Sequence, residues 1–273
     1  MLPNNFLANL PKDISPSIFD RILPTTFRVN TLKADPMSVN SALNKFNISF
    51  RQEGFGFITS NPLREIQELD IYKNGEIYVQ SLSSMLPPII LDPKPNEIIL
   101  DICAAPGSKT SQIAALMQNT GQIIANDNSR IRIYKLEANL KNLGVTNTII
   151  IHSSGQSLWQ KYPDYFDKAL VDVPCSMEGR FCTLNPKTYR DWSPVKVKIL
   201  SKLQRFLLRS AFGCTKSGGT IVYSTCTLNT TENEAVVEWL IKKESGRVEL
   251  ISTQRINPSA TMEGFFVAKL RKL

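Results

Sequence analysis

Beyond residue 95 the chain alternates short apolar runs with longer stretches whose apolar residues return every three or four positions. The runs at 97–103, 121–126, 148–152, 167–173 and 220–224 read as buried strands. Between them, 109–117 and 129–143 read as helices. Residues 195–214 read as a long amphipathic helix with Ile199, Leu203, Phe206 and Leu207 on one side, in a segment closed by Gly218-Gly219. A last helix is expected over 231–243, where Thr231 and Glu234 have capping-box spacing. Strands at 247–251 and 265–270 close the chain. Strands alternating with helices predict a mostly parallel sheet covered on both faces, with any ligand over the carboxyl ends of the strands.

The first 75 residues have a different rhythm. Segments 27–32, 47–50 and 56–59 read as short strands, and 36–45 as a helix with Val39, Leu43 and Phe46 suitably spaced for one face. The turn-like Tyr72-Lys73-Asn74-Gly75 divides the chain into a small α+β unit, 1–75, and an α/β domain, 76–273. The strongest apolar stretch, 85–91, is interrupted by Pro87 and Pro88 and falls far short of the ~20 residues of a membrane span. No basic-then-apolar leader opens the sequence, so a cytoplasmic, non-membrane protein is expected.

Composition narrows the chemistry. The cysteines are Cys103, Cys175, Cys182, Cys214 and Cys226, an odd number that argues for free thiols in a reducing compartment. There is no Cys-x-x-Cys, and His152 is the only histidine. No metal is therefore expected, and a Ser-His-Asp hydrolase is disfavoured. His152 itself reads as a solvated strand end. Lys+Arg number 32 against 24 Asp+Glu, a formal charge of +8. That excess admits a polyanionic partner without requiring one. Nothing resembles a coiled-coil seam, so a monomer is expected.

Three places carry candidate chemistry. Asp101-Ile102-Cys103-Ala104-Ala105-Pro106-Gly107-Ser108-Lys109-Thr110 leaves a strand and enters a helix. Its small residues allow close backbone approach to a ligand, although the phosphate-loop and dinucleotide glycine spacings are absent, so a plain tight turn stays open. The next strand ends in Asn126-Asp127, where an acidic side chain either accepts from ribose hydroxyls or caps the following helix. Cys175, after Asp172-Val173-Pro174, and Cys226, after Ser224-Thr225, fall at the carboxyl ends of two strands. A thiolate is a strong nucleophile, and a nearby carboxylate can position a polar substrate. Cys103, Cys182 and Cys214 read as packing residues.

Together these motifs resemble the RsmB/NSUN family of S-adenosylmethionine-dependent RNA cytosine-5 methyltransferases. The resemblance spans nearly the whole chain. It runs from Phe27-Arg28-Val29-Asn30-Thr31-Leu32-Lys33 through Tyr78-Val79-Gln80, Ser83-Ser84-Met85 and the Cys103–Lys109 loop. It continues through Asp172-Val173-Pro174-Cys175, Ser224-Thr225-Cys226 and Glu232-Asn233-Glu234 to Gly264-Phe265-Phe266. The pairing of a Pro-Cys with a Thr-Cys cysteine is its most specific element. The resemblance implies a Rossmann-like class I methyltransferase fold, with a mostly parallel seven-stranded sheet and a small N-terminal α+β domain that positions RNA. It implies Cys226 as the nucleophile on cytosine C6, Asp172 on the exocyclic amine and N3, and Cys175 in loss of the C5 proton and release of Cys226. For the cofactor it implies Cys103, Ala104, Ala105, Pro106, Gly107, Ser108 and Lys109 around the methionine part, with Asp172 bordering it. Asp127 would hold the ribose. Arg132 would bind near the cofactor or the local acidic groups, or be a plain exposed helix arginine.

Two departures stand out. Ser153-Ser154-Gly155 replaces an acidic residue frequent near the adenine, leaving that contact to Ser154 or the backbone. Ser176-Met177-Glu178-Gly179-Arg180 replaces the usual Ser-Gly or Thr-Gly after the Pro-Cys, so the target-base loop should have its own shape. Residues 180–192 interleave Arg180, Lys187 and Arg190 with Phe181, Tyr189 and Trp192, which suits phosphates and unstacked bases or simply a packed loop. A non-catalytic RNA-binding or ribosome-assembly factor is the alternative, but it would need neither cysteine nor Asp172. A methyltransferase for small molecules or proteins would need no covalent nucleophile.

Overall fold

The computed structural model describes residues 1–273. Two sheets organise it. The first is antiparallel, in the order β2-β3-β1-β4, from β1 (Thr25–Val29), β2 (Phe50–Glu53), β3 (Gly56–Thr59) and β4 (Ile77–Val79). The strand β4, just past the turn at residue 75, completes it against β1. Helix α1 (Pro36–Lys45) covers this sheet. Asp35 caps it by accepting from the Met37 and Ser38 amides, and Pro36 begins it where no N–H is needed. Val39 and Leu43 bury against Phe27, Phe57 and Ile77, while Phe46, expected on the same face, is exposed.

The second sheet has seven strands in the order β10-β11-β9-β8-β5-β6-β7. Its strands are β5 (Ile98–Asp101), β6 (Gln122–Asp127), β7 (Thr148–His152), β8 (Phe166–Asp172), β9 (Thr215–Thr225), β10 (Val248–Ile256) and β11 (Phe265–Lys272). All neighbouring pairs from β7 to β9 are parallel, and β11 runs antiparallel to both β9 and β10. This is the expected mostly parallel sheet with one reversed strand. The helices are α2 (Leu86–Leu91), α3 (Ser108–Leu116), α4 (Arg130–Asn142), α5 (Pro194–Cys214) and α6 (Glu234–Lys243). Leu207, Leu208, Ala211 and Phe212 of α5, with Val236 and Leu240 of α6, bury one face of the sheet. Leu91, Ile113, Ala114 and Met117 cover the other. No helix is long and apolar enough to cross a membrane.

Two local expectations are corrected. Gly218-Gly219 does not precede the strand but lies inside it. The pairing of β8 with β9 jumps from Phe166↔Thr215 to Lys168↔Thr220, and Gly218 takes φ 81° in the resulting irregularity. The capping box also does not form. The last helix begins at Glu234, after Asn233, with no side-chain cap bond, and Glu234 pairs instead with Arg255.

The two units are joined by buried polar contacts. Arg28 of β1 donates to Gln80 Oε1 at 3.0 Å, Ser111 Oγ at 2.7 Å and the Ser108 carbonyl at 3.3 Å. Asn30 Nδ2 bridges the Gly75 and Leu143 carbonyls, 2.8 Å from each. The resemblance-bearing Phe27–Asn30 run thus seats the first sheet on the helix that follows the Cys103–Lys109 loop.

Candidate active site

Adjacent parallel strands deliver the two cysteines. In the β8–β9 register Asp172 faces Ser224, and each chain then leaves the sheet at the same end. Ser224 donates to Asp172 Oδ1 at 2.7 Å, locking the strand ends together. A few residues on, Cys175 Sγ and Cys226 Sγ lie 3.3 Å apart. Asp172 Oδ2 takes a 2.7 Å ion pair from Lys109, whose Nζ also donates to Ser84 Oγ at 2.7 Å. Lys109 is almost fully buried, whereas Asp172 keeps part of its surface open. A buried ammonium needs such a partner, and the open carboxylate edge remains available to a substrate.

The cysteine loops are held by buried carboxylates. Glu232 accepts from the Ser176 amide at 3.0 Å, from Gln204 Nε2 at 2.8 Å and from Ser176 Oγ. Ser176 Oγ meets Thr227 Oγ1 at 2.8 Å, and Asn233 Nδ2 donates to the Thr227 carbonyl at 3.0 Å. Glu178 accepts from Trp192 Nε1 and Asn229 Nδ2, each at 3.0 Å. Burial pushes the Glu178 carboxyl up and that of Glu232 up to about 7. The hydrogen bond with Cys226, followed by burial, raises Cys175 well above the usual thiol range. Cys175 is therefore held as a thiol that can donate its proton toward the Cys226 sulfur.

A second cleft opens at the ends of β5 and β6. Its walls include Ile102, Cys103, Asn126, Asp127, Arg132 and Ser154, with Pro174 and Leu203 opposite the strand ends. Asp127 is buried. Its Oδ1 accepts from the Ser129 amide at 2.9 Å, and its Oδ2 accepts from the Ala105 amide at 3.3 Å and pairs with Arg132 at 3.2 Å. Ser129, not Asp127, is the N-cap residue of α4. Arg132 also bonds the Ala105 carbonyl, so it fastens Asp127 and the loop together. The buried Asn126 Oδ1 has no partner. The chemistry of these residues suits a nucleoside: apolar walls for a base, a fixed carboxylate for ribose hydroxyls, and an orphaned acceptor.

Of the loop predicted around the cofactor, only Cys103 lines this cleft. Ala104 and Ala105 pack on Leu136 and Leu140, Pro106 is exposed, and Gly107 takes φ 102° where a Cβ would meet Leu136. Ser108 begins α3, and Lys109 reaches Asp172. Cys214 is buried in the core, and Cys103 packs partly against it. His152 is exposed, with Nε2 3.2 Å from the Asn128 carbonyl. Phe181 and Tyr189 are buried with Phe6 and Phe19, and Trp192 packs on them, so the packed-loop reading of these aromatics holds. Sequence reasoning quoted Ser84, Ser224 and Glu232 without a role. Only the adjacency of Glu232 to the Thr-Cys loop hinted at one.

Comparison with known proteins places the chain in a family. Residues 88–271 match the family model described as 16S rRNA methyltransferase RsmB/F. The chain is 38% identical to a tRNA (cytosine(49)-C(5))-methyltransferase of Pyrococcus abyssi, over 98% of this chain and 91% of that protein. It is 36% identical to the ribosomal RNA small subunit methyltransferase F of Cronobacter sakazakii, over 97% of this chain but only 60% of that enzyme's length. A solved methyltransferase homologue from Pyrococcus horikoshii superposes with a TM-score of 0.84 at 35% identity, covering 94% of this chain and 89% of that one. The chain belongs to the RsmB/F family. It is a methyltransferase of Rossmann-like class I fold.

Proposed function

We propose that the chain methylates carbon 5 of a cytosine in structured RNA, ribosomal or transfer, through a covalent bond between Cys226 and the base. As a family member it is an RNA cytosine-5 methyltransferase. The observation that carries the covalent mechanism is the meeting of two thiols, 3.3 Å apart, beside a partly open Asp172.

Asp127, with Asn126, Ser154 and the walls of the second cleft, would hold S-adenosylmethionine, which would supply an electrophilic methyl group. The chain's own residues activate the base. The Cys226 thiolate adds to C6 and makes C5 enamine-like. Asp172, fixed by Lys109 and Ser224, contacts the exocyclic amine and N3 and stabilises the ring as charge develops. Once C5 is methylated, its proton must leave so that the C6–S bond can break and return the electron pair to Cys226. Cys175 accepts that proton. Its pKa is raised first of all by Cys226. Consuming that thiolate in the adduct removes this cause, so Cys175 can release its own thiol proton to solvent and take up the C5 proton as a thiolate. Residues 1–75 position the RNA and 76–273 perform the chemistry. The protein acts as a cytoplasmic monomer without a metal.

The test mixes Cys175→Ala protein with S-adenosylmethionine and a pool of unmodified tRNA and small-subunit rRNA transcripts. A covalent protein–RNA band on a denaturing gel is expected, and it should vanish in Cys175→Ala/Cys226→Ala. No band, with wild type also leaving every cytosine unmethylated, would overturn the reading in favour of a non-catalytic RNA-binding factor.

A further inference from the structure

A cavity of about 430 Å³ lies where the N-terminal unit meets the loop after Cys175. That volume falls within the ~300–1,000 Å³ of small-ligand sites. One wall comes from the segment leading into β1, with Arg21 and Ile22, joined by Leu63. The other comes from the catalytic domain, with Arg180 and Leu184. Ile22 is 78% exposed, Leu184 64% and Leu63 44%. Three large aliphatic side chains held open to solvent around one cleft are not explained by packing.

The arginines give the cleft its charge. Glu263 is buried, accepts from Ser81 Oγ at 2.5 Å and pairs with Arg180 Nε at 3.0 Å. Arg180 is thus anchored at one edge while its side chain as a whole stays more than half exposed. Arg21 spends one N–H on the Met262 carbonyl at 3.1 Å, and its Nε has no partner. The cleft also touches the candidate active site directly. The Gly179 amide, next to Arg180, donates to the Cys226 carbonyl at 3.1 Å. Gln80, on the opposite wall, donates to the carbonyl of Ser84, whose hydroxyl receives Lys109.

We propose that this cleft is the binding site for a nucleotide of the substrate RNA next to the target cytosine, lifted out of its stack. Ile22, Leu63 and Leu184 enclose the base, and Arg21 and Arg180 hold its phosphates. The inference rests on the RNA methyltransferase reading above and deepens it. A base that enters the thiol pocket must leave its stack, and its covalently linked neighbours are drawn with it. A neighbour displaced from water needs an apolar surface for its faces and cations for its phosphates. Phe181, Tyr189 and Trp192 are spent on packing, so the aliphatic cleft takes over the role their sequence pattern suggested.

The test uses the full chain carrying Cys175→Ala, with S-adenosylmethionine and the same transcript pool containing 4-thiouridine and 6-thioguanosine. The trapped complex is irradiated, digested with nuclease and mapped by mass spectrometry. Nucleotide adducts on the peptides carrying Ile22 or Leu184 are expected. On the transcript that the trap identifies, Ile22→Ser and Leu184→Ser should each raise KM for RNA about tenfold, the worth of one base-stacking contact, with the loss on KM rather than kcat. Both side chains are surface-exposed, so folding is preserved. A normal Cys226 adduct with cross-links confined elsewhere, or with unchanged KM in both variants, would overturn the subsite while leaving the proposed function standing. Absence of any Cys226 adduct would overturn both.

Discussion

Glu232 offers a sharp test of how the two cysteine loops are held. Burial raises its pKa from 4.5 to about 7. Below pH 4.5 the carboxyl is protonated in the folded and the unfolded chain, so it adds no pH dependence. Between 4.5 and about 7 the unfolded chain ionises while the folded chain keeps its proton. A raised carboxyl pKa therefore costs stability as pH climbs through that window, and the full penalty is present above it. At about 1.4 kcal/mol per pKa unit, the window is worth about 3 kcal/mol. Glu232→Gln removes the titration and keeps the contacts. Its amide oxygen can still accept from the Ser176 amide and Gln204, and its amide nitrogen can donate to Ser176 Oγ, which turns its own proton to Thr227. Urea unfolding at about pH 4 and about pH 8 reads the difference. Wild type should lose about 3 kcal/mol more than the variant between those pH values. Asp101, whose pKa burial also raises to about 7, tilts both proteins equally and cancels. Identical pH slopes in the two proteins would refute the buried, raised carboxylate.

Two further expectations concern the cofactor cleft and the loop crossing. Asp127→Ala removes the one fixed carboxylate in the nucleoside cleft. S-adenosylmethionine affinity by calorimetry should fall by about 1.5–3 kcal/mol, the worth of hydrogen bonds to a charged group, or roughly 10–150-fold. An unchanged affinity would remove Asp127 from the site. Gly179→Ala would place a Cβ 1.9 Å from the Gly264 carbonyl oxygen, where the cysteine loop crosses the entry to β11. Its thermal melt should show a loss of at least about 2 kcal/mol, because neither backbone can yield without breaking the Gly264–Gly179 and Gly179–Cys226 hydrogen bonds.

What the sequence made legible, and what it hid, follows from the range of the forces involved. The order of elements came from local periodicity. The placing of Cys175 and Cys226 at one edge followed because parallel strands joined by helices all end on the same side. Local signals failed where a distant partner decided the outcome. Gly218-Gly219 looks like a stop until β8 is set beside it, when it becomes an irregularity inside β9. Glu234 looks like a capping-box acid until Arg255 takes it. Phe181 and Tyr189 look like RNA platforms until Phe6 and Phe19, from the chain's opposite end, cover them. Glu232 is the instructive case. An acid in a polar run carries no mark of burial, and its Ser176 partner lies 56 positions away. Yet a carboxylate excluded from water must be repaid by several donors, and here they are Ser176, beside Cys175, and Gln204 of α5, which tie the Cys175 loop to the segment that follows Cys226. The residue that reads least like chemistry therefore sets the geometry on which the chemistry depends.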